Sequence, residues 1–306
     1  MVGIFKFIAA LVICVQVGFG LPADGVALNI TGSVVPEPVP ASASAAWAEE
    51  SVKVHFLDVG QADSIYIQLP DDKDILIDAG DVSDGPAVVD YLRRQGMDGE
   101  IDLLIATHPH RDHIGGIPDV LEAFLVKEVI DSGLVVDSKI FESYKESVVA
   151  EGSSWAADDY QVRQFGECEL KILTGPEVWR EVNDYSVVAR LDCGETELLF
   201  MGDAEKRVEE ILAGDISAEV LKVGHHGSRS SCSAEFLARV QPELAIISVG
   251  EGNRYGHPHE EALARLEGLG VERFRTDLEG CIVVETNGRQ MTFGSTAFYH
   301  SRLAYS

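Results

Sequence analysis

Basic residues are scarce in this chain. Lysine and arginine number 24 against 51 aspartates and glutamates, a formal charge of −27. That deficit excludes a protein that coats nucleic acid, because Lys and Arg neutralising phosphates supply most of such binding. Any polyanion handled here must be held locally, by a metal or a small basic cluster. Cysteine is sparse too: five residues, no two at metal-ligand spacing, make neither a zinc finger nor a small disulfide scaffold. Long apolar runs are missing after the N-terminus, where only residues 4–20 approach a membrane span, so a polytopic membrane protein is excluded. The remainder, 46% hydrophobic and 25% charged over 306 residues, suits one large globular domain or two ordinary ones.

Residues 1–20 carry one base, Lys6, before the apolar run Phe7 to Phe19 and the small residues around Gly18 and Gly20. This reads as a secretory signal peptide, with an uncleaved anchor or a lipid-modified Cys14 as alternatives; bulky Ile13 argues against the lipid. Residues 21–51 form a Pro/Ala/Ser-rich linker, 52–294 a folded domain and 295–306 a tail. An exported chain keeps Cys168, Cys193, Cys232 and Cys281, either as disulfides or as partly buried thiols, and the pairing stays open.

From Val52 strands and helices alternate. Val52–Val59, Ser64–Leu69 and Ile75–Asp78 read as strands, Pro86–Gln95 as a helix, and Ile101–Thr107 as a buried strand. A helix at Ile117–Phe124 and a strand at Val126–Ile130 follow, then one helix around Ser138–Val149 within the loop-like stretch 134–165. A hairpin pairs Val187–Leu191 with Glu197–Met201. Helices Glu205–Leu212, Ala234–Val240 and Glu260–Glu267 then alternate with strands Glu219–Val223 and Leu244–Val249. Asn287-Gly288 joins Cys281–Thr286 to Arg289–Phe293 in a hairpin. Strand blocks at both ends with helices between them predict an α/β fold with more than one sheet.

Seven of the nine histidines fall in three short clusters: His108, His110 and His113; His225 and His226; His257 and His259. Each cluster follows a predicted strand, where α/β proteins place their chemistry. Thr107-His-Pro-His-Arg-Asp-His-Ile-Gly-Gly116 packs four ligand types into six residues. A tight loop splits them: His108 and His110 toward one metal, Asp112 and His113 toward a second about 3.5–4 Å away. Gly115 and Gly116 read as the turn into the next helix. Asp203 ends a strand, placed to bridge two ions, and His225-His226 offers at least one more imidazole. Asp78 is either a strand-end turn residue or a carboxylate that orients imidazole N–H groups.

His-x-His-x-Asp-His after a strand, with Leu76-Ile-Asp-Ala-Gly80 upstream and Gly202-Asp203 downstream, resembles the metallo-β-lactamase superfamily. More narrowly, Phe56-Leu-Asp-Val-Gly-Gln-Ala-Asp-Ser64, Lys222-Val-Gly-His-His-Gly-Ser228 and Tyr255-Gly-His-Pro-His259 resemble the C-terminal hydrolase domain of the DNA-uptake protein ComEC and its free-standing relatives. The resemblance implies a four-layer αβ/βα sandwich with metals at one edge between two sheets. It carries ligand roles to His108, His110, Asp112, His113, Asp203 and one of His225/His226. Two departures stand out. Many members have a histidine ligand between the first cluster and the bridging Asp; here Asn183-Asp-Tyr-Ser186 occupies that stretch, leaving a site to be completed by Asn183, Asp184 or water. The family turn Gly-Gln-Gly-Asp reads Gly60-Gln-Ala-Asp63, which costs something only if Ala62 needs positive φ.

Arg111, Lys222, Arg229 and Arg254 lie in or beside the motif loops, either facing a phosphate oxyanion or offsetting carboxylates. His257 reads as a substrate-side or proton-donating group and His259 as a helix-start residue. The expectation is metal-assisted hydrolysis: hydroxide generated near neutral pH attacks phosphorus or a carbonyl carbon. Asp112, Asp203, Lys222 and His257 are the expected catalytic residues. Ligation by His and Asp suits zinc, manganese or iron; the resemblance favours one or two Zn2+ ions, with Mn2+ next. The expected substrate is a small anion or a phosphodiester, with nucleic acid as one candidate substrate but no stable nucleic-acid complex and no membrane span in the mature form. A secreted phosphodiesterase or nuclease is the leading reading. A hydrolase of a carbonyl ester, lactone or β-lactam and a non-catalytic metal-binding module are the alternatives.

Overall fold

Period-two apolar patterns build two β-sheets. The computed structural model describes residues 51–97, 99–157, 161–174 and 178–295, with no account of side chains 154–157. The expected signal peptide, the linker before residue 51 and the tail after residue 295 lie outside the described residues. The first half of the chain supplies β1 (Val52–Phe56), β2 (Ser64–Leu69), β3 (Lys73–Ala79), β4 (Glu100–Ala106), β5 (Leu125–Asp131) and β6 (Ser154–Ala157). Then come β7 (Val162–Phe165), β8 (Cys168–Ile172), β9 (Ala189–Cys193), β10 (Thr196–Phe200), β11 (Val220–Lys222), β12 (Leu244–Ile247) and β13 (Glu272–Arg275). The chain returns through β14 (Ile282–Thr286) and β15 (Met291–Ser295). One sheet has the order β15-β14-β1-β2-β3-β4-β5-β6 and the other β13-β12-β11-β10-β9-β8-β7.

Val54, Phe56, Ile65, Ile67, Ile75 and Ile77 face Leu170, Leu191, Leu198, Phe200, Val220 and Ile246 between the sheets. The alternate residues face outward and are covered by helices. These are α1 (Gly85–Arg94), α2 (Arg111–Ile114), α3 (Ile117–Ala123), α4 (Lys139–Glu151), α5 (Lys206–Ile211), α6 (Ala234–Val240), α7 (Glu260–Gly268) and α8 (Thr276–Glu279). Tyr66, Leu76 and Leu104 pack with Val88, Leu92, Val120 and Tyr144 of α1, α3 and α4. Leu199, Leu221 and Ile247 pack with Val208, Phe236, Leu237 and Leu266 of α5, α6 and α7. The layers therefore run helix, sheet, sheet, helix, the αβ/βα sandwich expected. In α1, Val88 and Leu92 stand four residues apart on the buried face, and burying each stabilises by about 1.5–3 kcal/mol. Pro86 opens that helix, where its missing N–H costs nothing, and Arg93 and Arg94 meet the negative end of its dipole. The Ser138 hydroxyl caps α4 by accepting from the Phe141 N–H at 3.1 Å.

Cys168 and Cys193 oppose each other across β8 and β9, with Cα atoms 4.4 Å apart, and are disulfide-bonded; Cys232 is a buried thiol. A cross-link over 25 residues constrains the unfolded chain by on the order of 3 kcal/mol. Among the described residues no helix is long and apolar enough to cross a membrane.

Four strands were absent from the sequence reading: β6, β7, β8 and β13. β7 and β13 are the two edges of their sheet, and β6 ends the other. Edge strands need no continuous apolar face: Glu272-Arg-Phe-Arg275 has three charges in four residues. Strands β3 and β4 run parallel, as do β10, β11 and β12, so the loops after them gather at one end between the sheets.

Candidate metal centre

The loop after β4 is fastened to the end of β3. The Thr107 backbone N–H donates to Asp78 Oδ1 at 2.8 Å and its hydroxyl donates to Asp78 Oδ2 at 2.6 Å. Asp78 sits at φ +57°, a left-handed conformation uncommon for a non-glycine residue. The same Oδ2 lies 2.7 Å from His113 Nδ1. A carboxylate oxygen accepts, so Nδ1 carries a proton and Nε2 is the atom left for a metal ion or a second proton. Gly115 and Gly116 have ordinary helical φ of −61° and −86°, so they do not serve as a sharp turn. They are needed for space: a Cβ on Gly116 would lie 2.2 Å from the Ala79 carbonyl oxygen, and one on Gly115 2.4 Å from the Val82 nitrogen.

His226, at φ +51° after β11, has Nδ1 2.9 Å from the Ser248 carbonyl oxygen. A carbonyl likewise only accepts, so Nδ1 of His226 keeps its proton and Nε2 is the atom left for a metal ion or a second proton. That atom is 3.6 Å from both Asp112 Oδ2 and Asp203 Oδ1. His113 Nε2 is 3.4 Å from Asp203 Oδ1, and His108 Nε2 is 3.8 Å from Asp203 Oδ2. His113 Nε2, His226 Nε2 and Asp203 Oδ1 are buried without a hydrogen-bond partner among the described residues. Buried lone pairs facing one another demand positive charge between them. Ligand atoms of His108, His113 and Asp203, and of Asp112, His113 and His226, each lie within 4.8 Å of one another. Imidazoles and carboxylates without thiolate fit zinc, manganese or iron.

The electrostatics agree. Burial works against a charged His226, but Asp203 and Asp63 outweigh it and push the imidazole up to about 10. His113 is raised well above its ordinary value against burial, by Asp203 and Asp78. Burial opposes ionisation of Asp112 as well, yet His226 and His113 bring it down to about 2. His108, buried beside His113, is held well below the usual imidazole value. The cluster is a negative hole lined with imidazoles.

The remaining predicted residues divide. His110 is exposed, its Nδ1 2.9 Å from His108 Nε2. His225 stands at the rim at φ +45°; its Nδ1 is 2.7 Å from Glu205 Oε1 and its Nε2 3.7 Å from Asp203 Oδ2. Of the two adjacent histidines, His226 enters the buried cluster. Asn183 lines the cleft, its Nδ2 3.1 Å from His225 Nδ1, whereas Asp184 is turned to Arg207 at 3.6 Å. The expectation that Lys222 faces a substrate is corrected. It is fully buried, with Nζ donating to Asp63 Oδ2 at 2.7 Å and to the Val223 carbonyl at 3.0 Å, so its charge belongs to the scaffold.

Arg229 and Arg254 are exposed and stand outside the cleft lining; Arg111 lines it, with Nε donating to Asp81 at 2.6 Å. Of Arg111, Lys222, Arg229 and Arg254, it is Arg111 that lines the cleft. His257 lines the cleft, and burial together with His225 and His226 lowers it to about 4, so near neutral pH it is no charged acid. His259 precedes α7 as its N-cap residue, and its Nδ1 accepts from the Arg229 N–H at 3.0 Å. Ala62 does not take positive φ, so the alanine there carries no backbone strain. Sequence reasoning gave no role to Asp63, Gln61 or Glu205. Asp63 had a signal, a carboxylate at the mouth of β2 within a quoted motif, but its partner Lys222 lies 159 residues away. The cleft above the cluster encloses about 280 Å³.

The sequence pattern of the metallo-beta-lactamase superfamily matches residues 57–251. ComE operon protein 3 of Bacillus subtilis is 33% identical over 267 residues, covering 79% of this chain and 34% of that protein. Recombination protein 2 of Haemophilus influenzae is 33% identical over 238 residues, covering 76% of this chain and 28% of that protein. The chain thus spans about a third of the length of these curated relatives. Among solved structures, the metallo-beta-lactamase fold protein YhfI of Bacillus subtilis superposes with a TM-score of 0.53 at 14% identity, covering 78% of this chain and 100% of that one.

Proposed function

The chain belongs to the metallo-β-lactamase superfamily, a superfamily of metal-dependent hydrolases, and from that premise we propose that it is an exported phosphodiesterase. The observation that carries the hydrolytic half is a buried set of atoms with no hydrogen-bond partner among the described residues, His113 Nε2, His226 Nε2 and Asp203 Oδ1, beneath an open cleft that His226 and Asp203 line. His108, Asp112, His113, Asp203 and His226 would hold one or two divalent ions there, zinc first and manganese next, with His110 and His225 at the rim. A divalent ion in that position supplies Lewis acidity and acidified water.

The chain's own residues do the rest. Asp78 and the Ser248 carbonyl lock His113 and His226 in the tautomer whose Nε2 faces inward. Lys222 neutralises Asp63, so the charge of that carboxylate is spent inside the scaffold. Asp112, partly exposed and lining the cleft, would orient an attacking water. Arg111 offers its remaining guanidinium donors to a phosphate oxygen.

The phosphodiester half is supported by the three motifs shared with the DNA-uptake family and by relatives whose names are those of competence and recombination proteins. The charge of −27 repels extended polyanions at long range, while a single phosphate at the cleft is inside the screening length. Bis(4-nitrophenyl) phosphate is therefore expected to be cleaved, and duplex DNA to be cut poorly at low salt and better as salt rises. Hydrolysis of a β-lactam or lactone without phosphodiesterase activity would replace this reading. Export is supported by the apolar run behind Lys6 and by the Cys168–Cys193 disulfide. N-terminal sequencing of native protein should start near residues 19–24, and an intact Met1 on cytoplasmic protein would refute export.

A further inference from the structure

We infer that Gln61 is a positioning residue that fixes which nitrogen of His257 carries the proton, so that His257 presents Nε2–H to the substrate's oxygens. The substrate half of this inference rests on the phosphodiesterase reading; the tautomer half does not.

Gln61 lies in the turn between β1 and β2, and His257 in the loop after β12; both line the cleft beside Asp112 and Asp203. The two loops meet at Gly250, where a Cβ would lie 2.6 Å from the Gln61 nitrogen. The Gly250 N–H donates to Gln61 Oε1 at 3.2 Å. A backbone N–H has no acceptor capacity, so this bond decides which end of the amide is oxygen. The amide nitrogen is thereby turned to His257 Nδ1, at 3.4 Å. That nitrogen only donates, so Nδ1 must accept, and the single proton of the neutral ring goes to Nε2 on the side away from Gln61.

His257 is held for this. Asn253 Oδ1 accepts its backbone N–H at 3.0 Å, and Asn253 Nδ2 donates to its carbonyl at 2.6 Å. The Tyr255 ring stacks on the imidazole at 5.8 Å and 24°, and the His225 ring meets it edge-on at 5.2 Å. The cleft thus contains imidazoles in opposite tautomers. His113 and His226 donate through Nδ1 and turn lone pairs inward, which suits a cation. His257 accepts at Nδ1 and is left with an Nε2–H, which suits an anionic oxygen whose charge grows during hydrolysis.

The test is the tautomer itself, read by long-range ¹H–¹⁵N NMR on full-length protein labelled at histidine, with the His257 signals assigned by their loss in His257→Gln. Wild type should show protonated Nε2. Gln61→Glu keeps an acceptor for Gly250 but puts a carboxylate oxygen against Nδ1, so the proton should move to Nδ1. With bis(4-nitrophenyl) phosphate, Gln61→Glu should lower kcat on the order of 100-fold, the usual loss for one oxyanion donor, with metal content unchanged. In a His257→Gln background, which supplies an amide N–H of its own, Gln61→Glu should add little. Protonated Nδ1 in wild type, or an unchanged tautomer in folded Gln61→Glu, overturns the positioning role. A switched tautomer with unchanged kcat overturns the donor role. Wild type that cleaves no phosphodiester removes the proposed substrate and, with it, the donor role, while the wild-type spectrum still decides the tautomer.

Discussion

On the floor of the cleft, His113 and His226 are buried and each gives its Nδ1 proton to a rigid acceptor, the Asp78 carboxylate and the Ser248 carbonyl. At the rim, His225 gives its proton to Glu205 with a quarter of its side chain exposed, and His110 is exposed beside His108. The residue types are the same and the restraint is not. The floor imidazoles are held in one orientation by buried acceptors, which would favour an ion there, whereas His225 at the rim is held by Glu205, which is itself partly exposed. The backbone does not divide in the same way: Asp78 and His226 below and His225 at the rim all hold left-handed φ, strain that the surrounding packing must over-determine.

The largest expected effect comes from beneath the floor. Lys222→Ala leaves Asp63 charged and buried without a partner, which should cost about 3–5 kcal/mol of stability in urea unfolding. A folded Lys222→Ala protein with full metal content and no phosphodiesterase rate would place the Lys222 charge at the substrate and not in the scaffold. Next is the anchor of His113: Asp78→Asn should weaken metal binding about 10–100-fold in chelator competition. Glu205→Gln, its counterpart for His225, should weaken it less, and equal losses would erase the distinction between floor and rim.

The acidity of the floor gives the third. Burial disfavours a charged His226, but Asp203 and Asp63 raise it to about 10 from an unfolded value of 6.5. The folded ion-free protein therefore holds a proton that the unfolded chain releases between those values. The stability this confers is complete below about pH 6.5 and is lost as pH rises through about 10. An ion competes for the same Nε2, so metal affinity should climb over that window while the melting temperature of chelator-treated protein falls. A melting temperature that rises there would put the proton elsewhere. The smallest effect belongs to Arg111→Ala, exposed and tied to Asp81: a several-fold rise in KM for a phosphodiester, with metal content untouched.

Much of the floor was legible because its ligands sit in short strand-end motifs, where spacing along the chain is spacing in space. His108, His113 and Asp203 meet for that reason. Lys222 was misread because its neighbours in sequence, His225 and His226, drew it toward the cleft. The strand periodicity pointed elsewhere: Val220 faces the core between the sheets and Leu221 the helices, so Lys222 returns to the inner side. Its partner Asp63 could not be found from either segment alone. The choice between His225 and His226 turned on two consecutive left-handed residues, which no side-chain pattern announces. In the fold, most central strands were visible through their apolar runs, and the edge strands β7 and β13 were not, because exposure removes the pattern that marks a strand; the interior strand β8 was missed although Cys168, Leu170 and Ile172 alternate inward.

On the proposed function, the buried acceptors of the floor exist to hold a divalent ion. Elemental analysis of purified protein after supplementation with zinc and manganese tests it most directly, comparing wild type with folded Asp203→Ala and His113→Ala. At least one tightly held ion in wild type, lost in both variants, is the predicted result. Wild type that carries no ion under either supplement would contradict it.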